Sequence, residues 1–101
     1  MIGQDLIGKY CMVRTFSAGV FAGILAERNG SEALVKNARR IWYWAGAASL
    51  SELAIKGTSK PNHCKFPSEV PEVLLTNVIE IIPTTLSAQQ SICEVPIWTQ
   101  N

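Results

Sequence analysis

The stretch Val20-Phe21-Ala22-Gly23-Ile24-Leu25-Ala26-Glu27-Arg28-Asn29-Gly30-Ser31-Glu32-Ala33-Leu34-Val35 decides the fold class. Two apolar runs flank an Asn-Gly pair, and that pair between strand-like runs is the strongest short-range hairpin signal, because both positions tolerate positive φ. Upstream, Lys9 to Phe16 (K-Y-C-M-V-R-T-F) is rich in aromatic and β-branched residues and stops at Ser17-Ala18-Gly19, a turn signal. Strands are therefore predicted over 9–16, 20–28 and 32–44, a three-stranded meander filling most of the first half.

Beyond Trp44 the pattern changes. Ser49-x-x-Glu52 forms a capping box, Leu50, Leu53 and Ala54 fall on one helical face, and Lys56 and Gly57 suit a helix end, so a helix of about two turns is predicted over 49–56. Thr58 to Pro71 carries three prolines and reads as an extended surface connection. Val70 to Ile82 fits helical spacing nearly as well as strand spacing. Its β-branched content favours strands over 70–76 and 78–82, split at Thr76-Asn77. The tail allows a helix over 85–93 with Leu86 and Ile92 inward, and Trp98 should dock on the barrel or on a neighbouring subunit.

With 101 residues the chain has room for one domain, residues 1–101, and one core. An apolar share of 48% against 17% charged residues excludes a disordered chain and suggests that some apolar surface meets another subunit. No apolar run approaches the roughly 18 residues that cross a bilayer, and Met1 to Asp5 lacks the features of a signal peptide, so a cytoplasmic location away from membranes is expected. Cys11, Cys64 and Cys93 include no C-x-x-C pair, and His63 stands alone beside Cys64, which predicts reduced thiols and no metal.

Net charge is +1, but unevenly spread. Residues 36–65 hold Lys36, Arg39, Arg40, Lys56, Lys60 and Lys65 against Glu52 alone, whereas residues 66–101 hold four glutamates and no base. The basic block suits phosphate, or pairing with the acidic tail of the same or a neighbouring chain. Within it, Asn37 to Trp44 (N-A-R-R-I-W-Y-W) is the candidate site. On a strand, Arg40, Trp42 and Trp44 share one face while Arg39, Ile41 and Tyr43 share the other, and only one set can face a ligand. The first set is preferred, because guanidinium groups fork onto phosphates and indoles stack on bases. In the competing reading the indoles are core and the arginines their solvated flank. Asn37 could bond a base or close a turn, and Arg14 on the first strand could join the basic face. No catalytic motif, paired histidine or phosphate-binding glycine loop is present, so no enzyme activity and no cofactor are expected.

Gly19 to Ala38 (G-V-F-A-G-I-L-A-E-R-N-G-S-E-A-L-V-K-N-A) resembles the first motif of Sm-like proteins, and Val73 to Pro83 (V-L-L-T-N-V-I-E-I-I-P) resembles the second. The resemblance implies a mainly β fold: a small five-stranded Sm-like or SH3-like barrel with one short inserted helix and a C-terminal extension. Thr76-Asn77 stands where that family has an Arg-Gly pair that helps hold RNA bases. Asn37 to Gly57, with E-V-L-L-T-N-V-I-E-I-I-P and the closing E-V-P-I-W, resembles a group of small bacteriophage-encoded proteins that brings no activity with it. That resemblance implies the cytoplasm of an infected bacterial host. By analogy of size and chemistry, the expected function is that of an anti-defence sponge: a homo-oligomer sequestering a small nucleotide signal, cyclic or ADP-ribose-derived, in pockets between subunits. The alternatives are an Sm-like module for RNA or single-stranded nucleic acid, and an inhibitor docking on a host protein.

Overall fold

The computed structural model describes residues 2–100. Its strands are β1 (Tyr10–Thr15), β2 (Val20–Asn29), β3 (Glu32–Arg40), β4 (Val70–Leu75) and β5 (Val78–Pro83), and its helices are α1 (Leu50–Lys56) and α2 (Leu86–Glu94). All five strands form one antiparallel sheet in the order β4-β3-β2-β1-β5. The β2–β3 hairpin is set one residue later than the Asn-Gly pair predicts. Asn29 pairs with Glu32, leaving Gly30 and Ser31 as a two-residue loop, and Gly30 alone takes the positive φ, 60°. Glycine at the first loop position matches the hairpin twist as well as Asn-Gly would have.

β4 and β5 occupy opposite edges of the sheet, yet only Thr76 and Asn77 separate them. Three Cα steps of 3.8 Å span at most roughly 11 Å, so the sheet must roll until its edges approach at that corner. Asn77 makes the kink at φ 56°; its carbonyl accepts from the Phe16 N–H, and the Val78 N–H donates to the Ser31 carbonyl. The result is the expected small Sm-like or SH3-like barrel in an open form, because no ladder joins β4 to β5.

Strand alternation then builds two apolar layers. Inside the roll lie Cys11, Val13, Phe21, Leu25, Val35, Ala38 and Leu75; on its outer face, under the helices, lie Met12, Ala22, Ile41, Leu53, Phe66, Ile92 and Val95. The Ser49 hydroxyl accepts from the Glu52 N–H at 3.1 Å and Gly57 closes α1, as the capping box predicts, while the Glu52 carboxylate accepts from the Ala48 N–H, one residue before the cap, instead of that of Ser49. In α2, Ile92 is buried as expected but Leu86 is not. Leu86 sits at the first helical position and is 81% exposed, while Ala88, one turn before Ile92, takes the inward place.

β3 differs most from expectation. It ends at Arg40 rather than Trp44, because the Ile41 N–H bonds the Val20 carbonyl and β2 begins at Val20, so nothing is left for residues 42–44 to pair with there. β3 also carries an extra residue. Lys36 pairs with Ile24 and Arg39 with Ala22, so three steps on β3 match two on β2, and Asn37 absorbs the excess at φ 50°. This bulge lies opposite Gly23, where a Cβ would come within 2.6 Å of Val35 and 2.8 Å of the Lys36 carbonyl. Gly23→Ala is therefore expected to destabilise the protein by about 1–3 kcal/mol in urea denaturation, with an unchanged far-UV spectrum in buffer.

Candidate functional site

The bulge sets where each arginine points. Ala33 and Val35 face the barrel interior; without the extra residue Arg39 would follow them. Instead Ala38 turns inward, Arg39 passes beneath the helices, and Arg40 comes to the barrel mouth beside its register partner Phe21. The Arg40 guanidinium lies 4.3 Å from the Phe21 ring centroid and donates to the Ala18 carbonyl at 2.6 Å. One N–H is thereby used, and the rest of the fork stays available.

Past Arg40, Ile41 anchors the chain in the core and Trp42 projects outward, 64% exposed. Trp44 is half-buried, its indole N–H donating to the Ala47 carbonyl at 3.1 Å. These residues and the β1–β2 turn, Ser17 to Val20, line a cleft of about 300 Å³. Arg40, Trp42 and Trp44 all line it, together with Ile41 of the other set, and Trp44 also packs against the core beneath the helices. Tyr43, expected on the opposite face with Arg39 and Ile41, is half-exposed, because the chain has left the sheet and residues 42 and 43 pair with Lys65 instead.

The other candidates lie elsewhere. Arg39 is buried, and its guanidinium donates to the carbonyls of Phe66, Pro67, Ile92 and Val95 at 2.7–3.0 Å. The last two carbonyls belong to the C-terminal end of α2, where a cation is favoured by the helix dipole. Burial lowers the Arg39 pKa, partly offset by Tyr10, Cys93 and Glu69 nearby. Arg39 is thus a structural cation and not a free phosphate ligand. Asn37 is the bulge residue, closing a turn of backbone outside the cleft. Arg14 pairs with Glu80 at 3.0 Å across β1 and β5 and also stays outside. Ser17 to Val20 are cleft residues that no sequence motif singles out, since their only signal is that of an ordinary turn.

A larger depression of about 440 Å³ sets Glu27, Glu32 and Glu72 against Arg28, a net acidic lining that disfavours anions. Another, of about 330 Å³, brings Tyr10, Glu69 and Cys93 to the side of Arg39. Burial, with Cys93 adding to it, raises the Tyr10 pKa well above the ordinary phenol value, so the ring keeps its proton. Cys11, inside the barrel, is pushed up to about 11 by burial, and at neutral pH it is a thiol rather than a nucleophilic thiolate. The three cysteines are unpaired, and no group of three or more His, Cys, Asp or Glu side chains comes together among the described residues. No helix among them is long and apolar enough to cross a membrane.

Residues 8–92 match the model of a family described as a domain of unknown function, DUF6948. The chain belongs to that family. No curated protein and no solved structure matches it. The DUF6948 region contains all five strands, α1 and every residue lining the candidate cleft.

The two adjacent arginines should separate cleanly by mutation. Arg39→Met removes a donor from each of four carbonyls and leaves those of Pro67 and Val95 with none, which is expected to cost about 3 kcal/mol or more. Arg40→Met loses an exposed cation–π contact and should cost about 1 kcal/mol or less. Urea denaturation of both variants checks this; equal losses would mean that Arg39 is not the buried tie.

Proposed function

We propose that this chain is a non-catalytic binding protein that sequesters a small nucleotide in the cleft between the β1–β2 turn and Arg40 to Trp44. One observation carries the reading: Arg40 is held by the Ala18 carbonyl and the Phe21 ring with most of its fork free, in the same cleft as the exposed Trp42. A fixed guanidinium grips a phosphate with little loss of side-chain entropy, and an indole offers a stacking face to any base. The lining supplies a cation and rings, with Ser17 as its one hydroxyl and no carboxylate or histidine to move a proton, which fits holding a ligand better than cleaving it. The sequence likeness to phage-encoded proteins suggests the setting: the bacterial cytoplasm during infection, with a cyclic or ADP-ribose-derived defence signal as the ligand.

A homo-oligomer fits the same reading. β4 and β5 each offer an unpaired edge, and Leu74 and Ile79, exposed by 61% and 56%, add apolar surface beside them. A cleft of about 300 Å³ is at the small end for a nucleotide-sized ligand, so a neighbouring subunit would enlarge it. A track for RNA or single-stranded DNA is less favoured, because the chain carries only +1 and Arg39, one of its basic residues, lies inside.

Calorimetry with a panel of mono-, cyclic and oligonucleotides tests the function. At least one nucleotide should bind, be recovered intact after heating, and lose affinity about tenfold or more with Arg40→Ala or Trp42→Ala, while the melting temperature changes little. Absence of binding, or recovery of an altered ligand, rejects the reading. For the oligomer, sedimentation of the Ile79→Lys variant should shift to the monomer mass; an unchanged profile rules out the β5 edge as an interface.

A further inference from the structure

A second group of rings and a cation stands on the chain segment that carries Trp42 and on the strands paired with it. After leaving β2, residues 42 and 43 pair with the Pro-rich connection: the Trp42 and Tyr43 N–H groups donate to the Lys65 carbonyl, and the Lys65 N–H donates back to the Tyr43 carbonyl at 2.8 Å. Phe66 in turn bridges Ile97 in parallel, and the Trp98 N–H donates to the Phe66 carbonyl at 3.0 Å. Three short extended pieces from distant parts of the chain therefore lie side by side. Tyr43 and Lys65 are register partners, so their side chains share a face. The Lys65 ammonium sits 5.9 Å from the Tyr43 ring centroid and 5.6 Å from that of Trp98.

Two rings thus flank one ammonium group. Lys65 has no carboxylate partner among the described residues, Tyr43 is 52% exposed, and both ring distances are near the outer limit of a cation–π contact. The ammonium is held loosely and acts as a placeholder. Its flexible four-carbon stem lets it swing out to a phosphate while a base stacks on Tyr43 or Trp98.

Given the nucleotide reading above, on which this rests, we infer that the ligand is a dinucleotide, linear or cyclic: one base stacks on Trp42 with a phosphate at Arg40, and the second enters the Tyr43–Trp98 slot with Lys65 on its phosphate. Trp42 and Tyr43 are consecutive on an extended piece, whose successive side chains leave opposite faces, so one ligand meets both platforms by straddling the edge of the segment. A mononucleotide fills only one.

Adenosine 5′-monophosphate, the linear 3′,5′-linked diadenylate and the cyclic diadenylate, titrated calorimetrically into the full chain, test this. At least one of the two dinucleotides should bind about tenfold or more tightly than the monophosphate. Tyr43→Ala and Lys65→Ala should remove that advantage while leaving monophosphate affinity unchanged, and Lys65→Ala should also flatten the salt dependence of dinucleotide binding. Trp98→Ala should act likewise, and Trp98→Phe, which keeps a ring, should restore binding if the alanine variant proves unstable. Equal affinities for mono- and dinucleotides in the wild type, or slot variants that leave the difference intact, overturn the second subsite and leave the Arg40–Trp42 reading standing. Loss of dinucleotide affinity with Arg40→Ala but not with Tyr43→Ala likewise overturns the second subsite alone. If none of the three probes binds while another mononucleotide does, the dinucleotide inference fails alone; if no nucleotide binds at all, both fail.

Discussion

Everything on the outer face of this barrel depends on how closely β3 passes β2 at Gly23. The backbone at Lys36 and Ala38 lies where a side chain would be, and Asn37 bulges out in the left-handed region to let it pass. This one inserted residue reverses the facing of the rest of the strand. Ala38 completes the inner layer, Arg39 is sent under the helices, and Arg40 is left at the mouth. Without the extra residue a guanidinium would point into an apolar interior, where an unpaired charge is costly. With it, the same group meets four carbonyls, two of which, Phe66 and Ile92, also accept from a backbone N–H, and it joins β3 to both the Phe66–Pro67 strap and the end of α2.

The parts of this arrangement legible in the sequence are those governed by local rules. The meander, the capping box from Ser49 to Glu52, the Gly57 cap and the break at Thr76-Asn77 each follow from residues close in the chain. Strand alternation likewise separates Arg40/Trp42/Trp44 from Arg39/Ile41/Tyr43, but it has no means of choosing between them, because the choice is made by a bulge whose cause, Gly23, lies on a neighbouring strand. The same limit explains Trp44. Strand propensity runs through it without a break, yet β2 offers no partner beyond Val20, and pairing is a property of two segments rather than one. Leu86 departs from its expected inward place because an apolar residue in the first turn of a short helix has no required direction, and Ala88 already fills that position.

The candidate site owes its stiffness to the elements beneath it. Arg40 stands at the last residue of a strand, Ile41 is locked in the core, and Trp44 is tied to Ala47, so the intervening Trp42 is presented from a fixed base rather than from a free loop. Such preorganisation lowers the entropy lost on binding. The basic block seen in the sequence is thereby sorted by structure. One arginine becomes a fastener, its neighbour is left for the surface, and Lys65 rests between two rings.

The fastener also sets an order of events during synthesis. Arg39 leaves the ribosome 56 residues ahead of Val95, whose carbonyl it finally bonds. At ribosomal speeds of about 5–20 residues per second, several seconds pass in which the meander can form while its central cation still faces water. Until α2 arrives, the guanidinium has water in place of the Ile92 and Val95 carbonyls, and the underside of the young sheet carries one hydrated charge beside Met12, Ala22 and Ile41. The clasp therefore closes last, when the end of α2 takes over the bonds that water has made.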